Sequence, residues 1–138
     1  MKNFIYIGLL FCEVLVAQEL VIVANKDFSN KDLTVEEIKA IFLDKKRFIN
    51  NEKLLVMNYK ANHTLRTCFE KKILKKSKRS LERYWRKAYY KGHRPPKIIK
   101  STQMLFSYLE NVSPSLGYTD KNSTLDKNVT ILYHVHCD

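Results

Sequence analysis

Hydrophobic positions along this chain alternate between two spacings. Leu20-Val21-Ile22-Val23-Ala24 is an unbroken apolar run rich in β-branched residues, which predicts a strand buried on both faces. Thr34-Val35-Glu36-Glu37 spells a capping box: the Thr34 hydroxyl can accept from the Glu37 amide while the Glu37 side chain reaches back. The helix it opens carries Val35, Ile38, Ile41 and Phe42 on one face. Residues 44–53 read as a charged loop, and Leu54-Leu55-Val56-Met57 as a second buried strand. Asn62-His63-Thr64 begins the next helix, with Leu65, Phe69 and Ile73 facing the core. Ser77 or Ser80 restarts a helix with Leu81, Tyr84, Trp85 and Ala88 as its apolar stripe, and Gly92 is placed to end it. Pro95 and Pro96 disfavour helix at the residues before them. Ser101 caps a helix carrying Met104, Leu105, Tyr108 and Leu109; residues 112–114 turn, and Leu116–Thr119 and Val129–Tyr133 read as strands. Strands alternating with helices predict an α/β three-layer sandwich with a mainly parallel central sheet.

The first residues have a different character. Lys2 precedes an apolar stretch from Phe4 to Val16, interrupted by Glu13, and Ala17 stands before the polar pair Gln18-Glu19. The stretch is shorter than the ~20 residues a membrane-spanning helix needs, so residues 1–17 read as a signal peptide and residues 18–138 as a single exported domain. The alternative is an uncleaved amphipathic start or a first buried strand. At 138 residues, 45% hydrophobic and 12% aromatic, with three Gly and three Pro, the chain is neither disordered nor fibrous. Its size allows one core and excludes two full lobes.

Charge is concentrated. Residues 71–100 hold 13 Lys and Arg against the single acid Glu82, a net +12, so the rest of residues 18–138 sums to −1. One positive face would attract anionic partners; the alternative is a solvated helix surface. Arg83, Arg86, Lys87 and Lys91 are its candidate partner-binding residues. Tyr84, Trp85, Tyr89 and Tyr90 interleave with them in a way that also suits stacking on nucleic acid. Helical spacing assigns Tyr84 and Trp85 to the core instead, and no nucleic-acid partner is expected. Beyond the leader, Cys68 and Cys137 remain; an oxidising compartment would let them bridge, and two separate thiols is the safer reading of the sequence alone. His134 and His136 share a strand face but lack an evident third ligand, so no metal site is assigned. No Ser/His/Asp triad, Gly-rich phosphate loop or carboxylate pair can be placed. The expectation is a protein without enzymatic activity and without a cofactor.

The ordered segments LTVEEIKAIFLDKKRF, HTLRTCFEKKIL, YWRKAYYKGHRPPK and SPSLGY are the basis of a resemblance. Across about residues 19–120 the chain resembles the small stand-alone members of the type II periplasmic solute-binding superfamily, relatives of the phosphate-binding proteins of ABC importers. Asp44 stands where that family usually has Gly, and Ser115 and Leu116 where it has Ala and Ile. The resemblance implies the fold of one lobe of such a protein, a periplasmic or secreted location, and phosphate or a similar small oxyanion as ligand. A membrane transporter or sensor protein is the implied partner. The family's Ser-Gly-Thr-Arg anion turn falls on His63-Thr64-Leu65-Arg66, where the Ser and the Gly are absent and Thr64 and Arg66 both become counterparts only with a shift of one residue.

The residues support an anion site there independently. The first amides of a helix have no internal acceptor and sit at the positive end of its dipole. Asn62, His63, Thr64 and Arg66 add polar side chains, with the Arg66 guanidinium suited to two oxygens at once. The plainer alternative is that Asn62 and Thr64 cap the helix while His63 and Arg66 are solvated. A single lobe leaves a bound anion open to water, so a second copy or a partner protein would complete the site. Otherwise the domain is a non-enzymatic interaction module that docks an acidic partner or anionic surface through its basic face.

Overall fold

The computed structural model describes residues 18–138; the leader expected over residues 1–17 lies outside them. Strand β1 (Glu19–Asn25) is the centre of the core, and Leu20 through Ala24 are completely buried, as the continuous apolar run requires. Burying each of the Leu, Val and Ile side chains contributes about 1.5–3 kcal/mol relative to exposure. A loop leads to α1 (Val35–Phe42), where Thr34 and Glu37 form the expected capping box and Ile38, Ile41 and Phe42 face inward. Asp44 follows at φ 60°, in the left-handed region that Gly occupies most easily and Asp tolerates.

Residues 44–53 are not simply a loop. Phe48–Ile49 (β2) and Glu52–Lys53 (β3) pair as a small hairpin turned by Asn50 and Asn51, both with positive φ (49° and 66°). Asn is among the residues that reach the left-handed conformation a two-residue hairpin demands. Strand β4 (Leu55–Asn58) leads to α2 (Thr64–Phe69), which continues into a π-helical turn over Glu70–Leu74. Ser77, not Ser80, caps α3 (Lys78–Tyr90), and Gly92 follows at φ 88°. The pair Lys97–Ile98 forms an unforeseen short strand, β5. Ser101 caps α4 (Thr102–Asn111), then come β6 (Ser115–Asp120), a 3-10 turn over Lys121–Thr124, and β7 (Val129–His136).

The five-stranded sheet has the order β5-β4-β6-β1-β7. Strand β4 is parallel to β5 and β6, while β1 is antiparallel to β6 and β7. Four strands therefore run one way and β1 opposes them, so the mainly parallel sheet holds with one reversed interior strand. The layers can be read from two neighbours in β6. A Cβ on Gly117 would lie 2.6 Å from Leu105 Cδ1 of α4. Tyr118, on the opposite face, stacks on Phe69 of α2 at 4.2 Å and tilts against Phe42 of α1 at 6.0 Å. Successive strand residues point to opposite faces, so helices cover both sides of the sheet.

The two cysteines correct the expectation of separate thiols. Cys68 and Cys137 form a disulfide with their Cα atoms 5.4 Å apart. β7 runs beside β1, the Cys137 amide donates to Gln18 O at 2.9 Å, and that register delivers the C-terminal tail to α2. None of the described helices is long and apolar enough to cross a membrane.

Candidate functional site

Strand order reverses about β4: the path through α2 and α3 leads to β5 on one side, and from β5 the path through α4 leads to β6 on the other. In open α/β sheets the crevice at the carboxyl ends of such strands is where ligands bind. Here that edge is formed by Asn58 at the end of β4, Tyr59, the 60–63 turn and the start of α2. Tyr59 ties it together. Its hydroxyl lies 3.1 Å from both Thr102 Oγ1, at the start of α4, and Thr119 Oγ1 in β6. The Tyr118 hydroxyl donates to Asn58 Oδ1. Burial raises the pKa of both Tyr59 and Tyr118, so these phenols stay protonated and structural.

The expected binding residues are together at this edge but differ in their engagement. His63, rather than Asn62 or Thr64, is the N-cap of α2: its Nδ1 accepts from the Leu65 amide at 3.1 Å, and its ring stacks on Tyr59 at 4.3 Å. Asn62 and Thr64 are exposed. Arg66 is not simply solvated. Its Nε donates to Glu70 Oε2 at 3.2 Å and its NH1 to Tyr59 O at 2.9 Å. Those bonds use two of the five guanidinium N–H donors and hold the plane fixed, leaving three for another acceptor. The Leu65 and Thr67 amides are taken by His63, while among the described residues those of Thr64 and Arg66 have no acceptor.

Beside Arg66 opens a groove of about 730 Å³. Phe42 and Phe69 lie at its depth, α3 contributes Leu81, Trp85 and Tyr89, and Pro96 and Ile98 close the far wall. Asn58 and Glu70 line its polar end with Arg66. Neither Asn58 nor Glu70 was marked out by the sequence pattern. Asn58 stands just past the predicted strand, and Glu70 lies one helical turn after Arg66, the spacing of an ion pair.

The candidate partner residues Arg83, Arg86, Lys87 and Lys91 are all exposed, and Arg86 also borders the groove. Tyr84 and Trp85, expected in the core, are half-buried against its edge, with the Tyr84 hydroxyl donating to Leu43 O at 2.5 Å. His134 sits 2.7 Å from Glu19 Oε1, and Cys137 is committed to the disulfide. Among the described residues no group of three His, Cys, Asp or Glu side chains could hold a metal ion.

No family model and no curated protein sequence matches the chain. Solved structures do. An ABC-type phosphate transport receptor from Vibrio cholerae superimposes with a TM-score of 0.66 at 19% identity, over 83% of this chain and 45% of its own. A Clostridium perfringens protein described as a phosphate ABC transporter substrate-binding protein, solved with bound phosphate, gives 0.67 at 17% identity, over 84% and 45%. PstS from Borrelia burgdorferi gives 0.64 at 13%, over 84% and 47%. At these identities the likeness establishes the fold: the chain is built like a lobe-sized part of these receptors and spans slightly less than half their length.

Proposed function

We propose that this protein is an exported, non-enzymatic solute-binding-like lobe that recognises phosphate or a similar small oxyanion through Asn62, His63, Thr64 and Arg66. The observation that carries this reading is Arg66. A guanidinium fixed by Glu70 and the Tyr59 carbonyl, with donors to spare, belongs to a helix start whose Thr64 and Arg66 amides have no acceptor among the described residues, at the strand edge where α/β folds bind ligands. Phosphate in the names of the structural neighbours supports the choice of anion. A disulfide is at home in the oxidising space outside the cytoplasm, which supports export.

A single lobe limits affinity. In water a charge pair at 4 Å contributes about 1 kcal/mol, against several in a closed, dry cleft. The isolated chain should bind on the order of 1 mM, about −4 kcal/mol, and a second copy or a membrane transporter or sensor protein would complete the cleft. The exposed cations Arg83, Arg86, Lys87 and Lys91 are the surface we assign to that partner. Calorimetry of residues 18–138 with phosphate, sulfate and molybdate is the test. Saturable heat that is lost in Arg66→Gln is expected; no heat up to roughly 10 mM, ten times the expected constant, refutes the reading.

A further inference from the structure

We propose that the ligand of this site is an organic anion with an aromatic or apolar body, an aryl or alkyl phosphate or carboxylate, rather than a bare inorganic oxyanion. This rests on the oxyanion reading above and names its substrate class. The concavity joining Arg66 is about 730 Å³, within the roughly 300–1,000 Å³ typical of small-molecule sites. That is far more space than one tetrahedral oxyanion fills, and most of the wall cannot hydrogen-bond. Phe42, Phe69, Leu81, Trp85, Pro96 and Ile98 offer carbon surface, whereas Asn58, Arg66 and Glu70 make one polar end and Lys78, Glu82 and Arg86 border the α3 side. A bare anion held at that end would leave the aromatic wall wet. A ligand with a flat apolar body covers the wall while its head stays on Arg66.

Charge selects the sign of the head group. Glu70 and Arg66 neutralise each other at 3.2 Å, so the pair is spent as a source of net charge. Lys78 and Arg86 then outnumber Glu82 along the α3 wall, inside a segment of net +12. An aromatic slot in that field disfavours the cations that such slots otherwise accept. Asn58 adds specificity. Its Oδ1 accepts from Tyr118, so the amide nitrogen is the donor this lining residue has left to offer a ligand.

Trp85 is the chain's one tryptophan and lines the groove, so its fluorescence reports on occupancy. Residues 18–138 would be titrated with phenyl phosphate, inorganic phosphate and benzyl alcohol, following Trp85 emission and heat in parallel. Phenyl phosphate should bind at least about tenfold tighter than inorganic phosphate and shift Trp85 emission. Tyr89→Ala, at an already exposed wall residue, should weaken phenyl phosphate severalfold and leave inorganic phosphate unchanged, whereas Arg66→Gln should weaken both. Equal affinities for the two phosphates overturn this inference and leave the oxyanion reading standing. Absence of binding by either anion overturns both. Benzyl alcohol binding as tightly as phenyl phosphate, with Arg66→Gln silent, overturns the anionic head.

Discussion

Replacing Cys137 with Ser removes the covalent tie between β7 and α2. The two cysteines are 69 positions apart, and the closed loop contains α3, β5, α4, β6 and β7. In the chain-entropy picture, cross-linking residues this distant withdraws about 4 kcal/mol of freedom from the unfolded chain at 25 °C, and measured bridges typically give about 2–4 kcal/mol. Little in the folded state compensates for its loss. β7 pairs with β1 alone and much of its length is open, Ile131 being 39% and Tyr133 36% exposed. The assay is urea unfolding of residues 18–138, oxidised and reduced, followed by circular dichroism. With a slope of about 1–3 kcal/mol per molar urea for a domain this size, reduction or Cys137→Ser should lower the midpoint by about 1–2 M. Cys68→Ser and the double variant should match it. A loss below about 0.5 kcal/mol would refute the argument, because the bridge would then not be constraining the unfolded ensemble.

Two further outcomes follow from the packing. Gly117→Ala puts a methyl group 2.6 Å from Leu105 Cδ1 in a fully buried layer; it should destabilise by about 1–3 kcal/mol in chemical unfolding, and by less in a Leu105→Val background. Burial pushes the Tyr118 phenol well above its ordinary value near 10, so above pH 10 the unfolded chain loses a proton that the folded chain keeps. Stability is then fully present below pH 10 and declines as pH rises beyond it. A thermal melt series toward pH 11.5 should show that decline in the wild type and a shallower slope in Tyr118→Phe; equal slopes would mean Tyr118 is not the group responsible.

Local signals were strong wherever a single element could satisfy itself. The Thr34 capping box, the Ser101 cap, Gly92 past the end of α3 and the doubly buried β1 run all depend on neighbours within a few residues, and all are found where the pattern places them. The Asn50-Asn51 hairpin was hidden because its strands are two residues long and mostly exposed, too short to show a period. β5 is equally short. At the candidate binding edge, the sequence marked residues 62–66 by residue type, by their place at a helix start and by a resemblance. Which donors remain for a ligand depends on Tyr59, Glu70 and the His63 ring, and no spacing rule says whether an Arg points to solvent or to a carbonyl.

Amino-acid order alone was enough for the alternation of strands and helices, the two-sided burial of the first strand and the concentration of positive charge, since each is written in neighbouring residues. Long-range geometry settled the rest. The reversed direction of β1, the meeting of Cys68 with Cys137 and the groove beside Arg66 arise from segments dozens of residues apart. Chain direction and side-chain competition at such distances are set by how the layers pack as a whole, and that energy has no counterpart in any short stretch of sequence.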